Sequence, residues 1–399
     1  MGHGHSHRAD RSAPEFEVGR TPRVALLSAL AAVGVATLVG LLLLWPDGTR
    51  ADELQGSLGF AGEGVTFPEA VISDVEPPCP DPTDPAPTGD CGRIQATVDE
   101  GADRGTAVVV DVPPQVSSSG LDVGDRIELV RHPDRSVDEG RFGYWGTERS
   151  GPLWILLIAF VVVVLAIARF RGLMALLGLG FASVVVFVFA LPALLTGGPG
   201  IAVALVAATA IMYVVLYTTH GFSIRTSTAL AGTLAGLGIT AAVGWWAVRS
   251  THLSGIGGEE SGVIASKAPD VSFQGLLTAA VIIAGLGVLN DVTITQSSAV
   301  WELRAAAPTM SRAQIFTSGM RIGRDHIAST IYTIVFAYAG TALALMLVLQ
   351  LYDRPILDLL GTEEISMEIV RSLVSSIGLV LAVPLTTAIA ALTVPGGHD

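Results

Sequence analysis

Long apolar segments separated by polar connections restrict the fold of this chain more than any other feature. A segment of about 20 apolar residues is long enough to cross the roughly 30 Å hydrocarbon core of a bilayer. Half of the 399 residues are apolar and only 15% are charged, which argues against a purely soluble enzyme. Eight such windows occur, at 24–45, 152–169, 172–192, 200–218, 227–248, 274–298, 327–350 and 371–393. The pattern predicts a mainly α-helical, polytopic transmembrane bundle of about eight helices.

The net charge of the chain is concentrated in one polar stretch, residues 46–149. This stretch contains 21 acidic residues and 8 arginines, and its net charge of −13 equals the formal net charge of the whole chain. Because an acidic surface repels phosphates, we expect no nucleic-acid partner. The short runs 93–98, 106–112 and 126–131 are rich in β-branched residues and predict a small β-rich domain, either a compact barrel or a sandwich.

The distribution of arginine predicts the orientation in the membrane. The N-terminal tail and alternate connections carry more arginine than the connections between them, and the richer side is expected in the cytoplasm. The arginines of these richer connections include Arg171, Arg225 and Arg304. No cleavage pattern of small residues follows the first apolar window, which favours a retained signal anchor. We predict a disordered cytoplasmic tail at 1–23, a signal anchor at 24–45, an extracytoplasmic acidic β domain at 46–149 and a seven-helix membrane domain at 150–399. Both termini should be cytoplasmic.

Cysteine and histidine spacing gives no strong metal signature. Cys79 and Cys91 lie in the predicted outer domain, where an oxidising compartment favours a disulfide, with two free thiols as the alternative. His3, His5 and His7 could bind a divalent metal weakly, but a glycine-rich flexible tail is the simpler interpretation. We expect no cofactor.

Motifs for common enzyme chemistry do not occur in the sequence. Lys267 is the single lysine among 23 basic residues, so Schiff-base chemistry is disfavoured. No Walker A, Gly-x-Ser-x-Gly, His-Glu-x-x-His or dinucleotide motif is present. We therefore expect that the protein is not an enzyme and does not drive transport with ATP by this chain alone.

The strongest site signal lies in the sixth apolar window. A carboxylate at membrane depth costs about 2.5–3.5 kcal/mol on insertion scales, so the acid in this window should face a protein interior, a cation or water. A local role at the cytoplasmic interface is the alternative. Four polar residues, the acid among them, share one helical face: Asp291, Thr295, Ser298 and Glu302. Asn290, Thr293 and Ser297 lie on the adjoining face.

A second polar group leads into the seventh window. Arg321 and Asp325 are i, i+4 neighbours on the predicted helix. Arg324 or Arg321 is the expected partner for Asp291, since an ion pair would lower the cost of both charges and join the two helices. His326 could relay protons, although a histidine at a membrane boundary is more often an amphipathic anchor.

Two further features are interpreted as structural. His220 precedes Gly221 at the end of the fourth window, as in a helix C-terminal cap. Gly232 and Gly236 form a small-xxx-small pair that allows close helix approach.

Four stretches of the chain, within about residues 150–393, resemble the YibE/F family of multi-spanning bacterial membrane proteins. They are Thr219-His-Gly221, Gly285-Leu-Gly-Val-Leu-Asn-Asp-Val292 with Glu302 downstream, Gly319-Met-Arg-Ile-Gly-Arg-Asp325, and Ser376-Ile-Gly-Leu-Val-Leu-Ala-Val-Pro-Leu385. One departure is Asn290, where the family pattern usually has a bulky residue. The resemblance implies a polytopic protein of the bacterial inner or plasma membrane, with permease among the functions open to it. It names no substrate.

Two functions from different classes fit these features. The first is a secondary transporter or permease, in which Asp291 with Arg321 and Asp325 couples a proton or cation to the passage of a small solute. The second is a non-transporting envelope scaffold or regulator, whose outer domain at 46–149 binds a partner protein. We favour the transporter because polar residues at membrane depth more often mark pathways than packing.

Overall fold

The computed structural model describes residues 19–57, 64–79, 91–133, 135, 140–257, 259–351 and 355–395. The chain divides into two compact units. One unit is Gln55–Ile167, and the other consists of Met1–Leu54 together with Ala168–Asp399. Most of the predicted N-terminal tail, with His3, His5 and His7, lies outside the described residues.

Long apolar helices make up most of the described chain. By length and composition, six segments could cross a membrane: Arg20–Leu43 (α1), Ser150–Leu195, Gly200–His220 (α6), Ile224–Ser250 (α7), Phe273–Ala306 (α9) and Glu363–Thr393 (α13). A pair bent by 60°, Arg312–Thr341 (α10) and Leu343–Leu351 (α11), raises the number to seven if it forms one span. The shorter helices are Gly48–Ser57 (α2), Pro114–Ser117 (α3), Glu259–Lys267 (α8) and Ile356–Leu359 (α12).

The segment Ser150–Leu195 is interrupted within its length. It contains Ser150–Val184 (α4), a π-helical stretch and Leu191–Leu195 (α5), and the backbone leaves the helical region at Arg169, with φ 52° and ψ −128°. An unbroken helix of 46 residues would extend about 69 Å, more than twice the bilayer core. The break falls between two predicted windows, so two spans remain our prediction for this segment.

Helices α6, α7, α9 and α13 pack around the centre of the second unit. Their apolar side chains at the shared surface are almost fully buried, and Leu216, Leu230 and Leu289 are at most 1% exposed. Helix α1 packs against α6 and α7 and buries Leu26 and Leu30. Helix α9, which carries the predicted polar residues, is therefore one of the central, buried helices.

Glycines set the close approach of α7 to α13. A Cβ added at Gly232 would overlap the Thr386 hydroxyl and lie 2.9 Å from the Thr386 Cβ, and one added at Gly236 would lie 2.9 Å from the Ala382 Cβ. Gly378 on α13 approaches Thr240 on α7 in the same way. The small residues allow the two backbones to pack without side-chain spacers.

The first unit contains one curved antiparallel sheet, a half-barrel rather than a closed barrel or a two-sheet sandwich. Its strands follow the order β3-β2-β1-β4-β5. They are Glu69–Val75 (β1), Arg93–Val98 (β2), Ala107–Asp111 (β3), Arg126–Arg131 (β4) and Phe142–Thr147 (β5). Alternate residues form its core, and Ile72, Ile94 and Ile127 are at most 1% exposed. Strands β2 and β4 have the predicted bounds, whereas β1 and β5 were not predicted from the sequence.

A disulfide and a carboxylate–arginine cluster join separate parts of this sheet unit. Cys79 and Cys91 are disulfide-bonded, with their Cα atoms 4.9 Å apart. Asp103, in the connection between β2 and β3, accepts hydrogen bonds from the guanidinium groups of Arg131 and, at 3.1 Å, Arg141. The Arg131 hydrogen bond, with the positive charge of both arginines, holds the pKa of Asp103 below its usual value.

Candidate functional site

The turn between α6 and α7 fixes the backbone beside a polar pocket. Helix α6 ends at His220, and Gly221 turns the chain with φ 76°, a conformation that glycine adopts without strain. Ser223 then caps α7, because its hydroxyl accepts a hydrogen bond from the Thr226 N–H at 3.0 Å. Across the turn, the Ser297 hydroxyl of α9 donates to the Arg225 carbonyl at 2.8 Å. The Ser297 bond ties the start of α7 to α9.

A pocket of about 430 Å³, termed the helix-end pocket, opens beside this turn. No described residue that lines the pocket is acidic. The volume is within the range of small-molecule sites. Two arginines, a histidine, three hydroxyl side chains and one isoleucine line it: Arg171, Thr219, His220, Arg225, Ile294, Thr295 and Ser298.

The sequence predicted part of this pocket. Thr295 and Ser298 were expected to be functional and do line it. His220 terminates α6, as the capping interpretation requires, and it also lines the pocket. Arg171 and Arg225 entered the sequence argument only as indicators of orientation. Their position immediately beside two apolar windows was the signal that could have identified them.

Asp291 lacks the arginine partner that the sequence argument assigned to it. Its side chain is 71% exposed, and its carboxylate Oδ2 lies 3.9 Å from Nε2 of His326 on α10. No arginine among the described residues lies within ion-pair distance of it, so the predicted pairing with Arg321 or Arg324 is wrong. The reason is geometric, since the α10 face turned toward Asp291 carries the histidine and the arginines point elsewhere.

The charged residues of α10 remain separate from one another. Arg321, Arg324 and Asp325 are all exposed. Within the described part of the chain, none of the three forms a salt bridge, although Arg321 and Asp325 are spaced for one. The expected Arg321–Asp325 pair is therefore not formed, because exposed side chains on a helix gain little from such a contact.

The two polar faces of α9 differ in burial. The face of Asp291 and Glu302 is exposed, while Thr293 and Ser297 on the adjoining face are fully buried. Asn290 is half-buried, and its Oδ1 atom accepts no hydrogen bond within the described part of the chain. The buried polar face thus packs against α7, and the more strongly charged face is directed outward.

Gln296 joins three helices at this buried face and was missed from the sequence. Its side chain is 2% exposed, and its Nε2 donates to the Gly319 carbonyl at 2.8 Å and to the Thr387 hydroxyl at 2.7 Å. Thr293 forms a further 2.6 Å hydrogen bond with Thr233 of α7. These contacts satisfy polar groups that lie away from water, so this face is interpreted as structural.

Arg304, near the end of α9, has the largest fully buried side chain among the described residues, and its burial was also missed from the sequence. It is 1% exposed, and its Nη1 donates to the Pro308 and Met310 carbonyls at 3.0 and 2.7 Å. These bonds secure the connection from α9 to α10. The sequence showed Arg304 only as one of several cytoplasmic arginines.

No group of three or more histidine, cysteine or acidic side chains suited to a metal occurs in the described ranges. The weak metal candidates His3, His5 and His7 lie outside those ranges.

Several packed apolar helices, each long enough to cross a bilayer, are the hallmark of a multi-spanning membrane protein. The family follows from comparison with known sequences. The model of the YibE/F-like protein family matches residues 156–396, more than half of the chain, so the chain belongs to the YibE/F-like family. The family predicted from the four stretches is thereby confirmed. No match was found among curated proteins or among solved structures.

Proposed function

We propose that this protein is a secondary transporter or permease in which Asp291 on α9 and His326 on α10 form the coupling pair. The observation that carries the proposal is the 3.9 Å approach of the Asp291 carboxylate on α9, a candidate span, to the His326 imidazole on α10, the longer helix of the bent pair. A carboxylate and an imidazole can both exchange protons, and such pairs in membrane segments mark ion pathways.

The position of the helix-end pocket supports this proposal. Thr295 and Ser298 line the pocket, and they follow Asp291 by four and seven residues on one face of α9. One polar face therefore runs from the pocket to the coupling pair. A solute bound in the pocket would lie one to two helical turns from the Asp291 carboxylate, close enough for its binding to respond to the protonation of the pair.

The proposal takes the protein to lie in the bacterial inner or plasma membrane, with both termini in the cytoplasm. The arginine-rich N-terminal tail and alternate connections support this orientation. It would put the helix-end pocket on the cytoplasmic side.

The test is flux in proteoliposomes that enclose a pH-sensitive dye. Addition of pools of small solutes should produce a solute-dependent pH change with the wild-type protein. Asp291→Asn and His326→Gln should each abolish it, because neither variant retains the exchanging pair. Glu302→Gln is the matched control, since Glu302 is an exposed acid on the same face that does not contact His326.

Equal solute-dependent pH changes in the wild type and Asp291→Asn would remove the pair from the mechanism. Thermal unfolding of each variant must accompany the flux measurement, so that a loss of folded protein is not counted as a loss of transport.

A scaffold or regulator is the second candidate, and the separate β-sheet unit favours it. That unit has its own buried core and disulfide, as a domain that binds a partner protein would need. In this case Asp291→Asn would leave function intact, while deletion of the sheet would abolish it. Capture of one defined envelope protein by the sheet unit, together with no flux for any solute pool, would select this alternative.

A further inference from the structure

We propose that the helix-end pocket binds a phosphate-type oxyanion. As a statement about the transported solute, this inference rests on the proposed permease function. As a statement about binding, it stands on the pocket alone. The chemistry could be presented by a soluble phosphate compound or by the phosphate of a lipid headgroup.

The positive charge of the pocket is not compensated by an acid. Arg171 and Arg225 come from different segments and line one cavity, together with the His220 ring. Neither arginine has a carboxylate within 4.0 Å in the described part of the chain. Like charges held together without a counter-charge repel one another, so a bound anion would stabilise the arrangement.

The pocket also contains free hydrogen-bond donors. The Thr295 and Ser298 hydroxyls line the pocket and donate to no described residue. A guanidinium group offers planar paired donors that match phosphate geometry. Two guanidinium groups and two hydroxyls can therefore donate hydrogen bonds to several oxygens of one phosphate.

The backbone at the start of α7 also favours a bound anion. Arg225 is the second residue of this 27-residue helix, and the helix N-terminus carries a partial positive charge. Ser223 caps one of the free N–H groups, which leaves the first two N–H groups of the turn without a helical partner. This field adds to the charge of the arginines.

Acidic residues do not cancel this field inside the pocket. Asp291 and Glu302 each lie one helical turn beyond a lining residue of α9, and neither lines the cavity. The same cavity would be a poor site for a metal cation, since two guanidinium groups line it and His220 is its single metal-ligating side chain besides hydroxyls. The lining therefore selects for negative charge.

The experiment measures binding of radiolabelled inorganic phosphate to the full chain in phosphatidylcholine nanodiscs. Wild-type protein should bind saturably. Arg171→Gln and Arg225→Gln should each weaken binding by roughly 10- to 100-fold, the loss expected for a charge-assisted hydrogen bond. Arg321→Gln should have no effect, because Arg321 is an exposed arginine of α10 outside the pocket.

A second arm identifies a lipid as the source of the phosphate. The protein is released from nanodiscs that contain phosphatidylcholine and phosphatidylglycerol. Native mass spectrometry then measures the mass of the protein with any bound lipid. Retained phosphatidylglycerol that is lost in Arg225→Gln, and that prevents binding of inorganic phosphate, would assign the site to a headgroup. Phosphate binding that persists in these discs would assign it to a soluble compound.

A third variant keeps the test informative if an arginine substitution prevents folding. Thr295→Val combined with Ser298→Ala preserves the charges and removes the free hydroxyls, and it should weaken binding by several-fold. The inference is overturned if neither phosphate nor phosphatidylglycerol binds, or if binding is the same in the wild type and both arginine variants. Binding without solute-dependent flux would support the anion site and reject the permease function. Asp291-dependent flux without binding would support the permease function and reject the anion site.

Discussion

At the scale of single residues, the buried polar side chains of α9 serve packing and the exposed ones are available for chemistry. Gln296 contacts α10 and α13 through two hydrogen bonds from one amide nitrogen. Space around it is limited, since a Cβ added at Gly323 would lie 3.1 Å from its amide atoms. Loss of this amide would leave acceptors of two helices without their buried donor.

We expect Gln296→Leu to lower the free energy of unfolding by about 1–3 kcal/mol, the usual cost of leaving buried polar partners unsatisfied. Gln274→Leu is the control, because the Gln274 side chain is exposed and donates one hydrogen bond, to the Leu253 carbonyl at 2.8 Å. Thermal unfolding in detergent measures both variants. Equal losses would show that burial of the Gln296 amide contributes nothing.

At the scale of helices, small residues decide which elements can meet. The α7–α13 contact depends on Gly232, Gly236 and Gly378, and it is continued by a 3.2 Å hydrogen bond between the hydroxyls of Thr228 and Thr393. In a bilayer the hydrophobic effect does not drive one helix against another, so such close packing and buried hydrogen bonds stabilise the bundle.

A pair of substitutions in α7 tests this contact. Gly232→Ala should destabilise the protein by about 1–3 kcal/mol, because the new methyl group would overlap Thr386. Gly238→Ala on the same helix should be neutral or stabilising by up to about 1 kcal/mol, since nothing lies within 4 Å and alanine favours the helix. Unfolding midpoints of both variants in the same detergent provide the measurement, and a common sign would refute the packing argument.

At the scale of the whole molecule, the two units depend on different interactions. The helical unit is held by apolar packing and hydroxyl contacts, while the sheet unit adds a disulfide and arginine–carboxylate clusters. Asp103 is stabilised as the carboxylate by Arg131 and Arg141, which lowers its pKa. Because this pKa is depressed, the contribution of Asp103 is complete above the unfolded-state value of about 3.9 and is lost as the pH falls through the folded-state value.

Acid should therefore open the sheet unit through Asp103. We expect protection of β4 and β5 against proteolysis to decline below about pH 4 in the wild type. Asp103→Asn should lower protection at neutral pH and flatten its dependence on pH, whereas Asp74→Asn, an exposed carboxylate in β1, should keep the wild-type profile. Pulse proteolysis with mass spectrometry follows each unit separately, and an unchanged acid profile in Asp103→Asn would contradict the assignment.

The sequence by itself determined the long helices, the family and part of the sheet. Apolar length predicts spans such as Gly200–His220 from hydrophobic burial alone, and alternating β-branched residues predict β2 and β4 from local geometry. Strand β5 escaped prediction because its two glycines, Gly143 and Gly146, weaken the local signal.

Only the tertiary structure decided which face of α9 is buried and which charges meet. Helical spacing places Asp291, Thr295 and Ser298 on one face, but the direction of that face depends on how α7, α10 and α13 pack around the helix. The rotation of α10 likewise selected His326 instead of an arginine as the neighbour of Asp291. Residues distant in sequence, such as Arg171 and Arg225, share a pocket because chain folding brings them together, and no periodicity within a single segment records that contact.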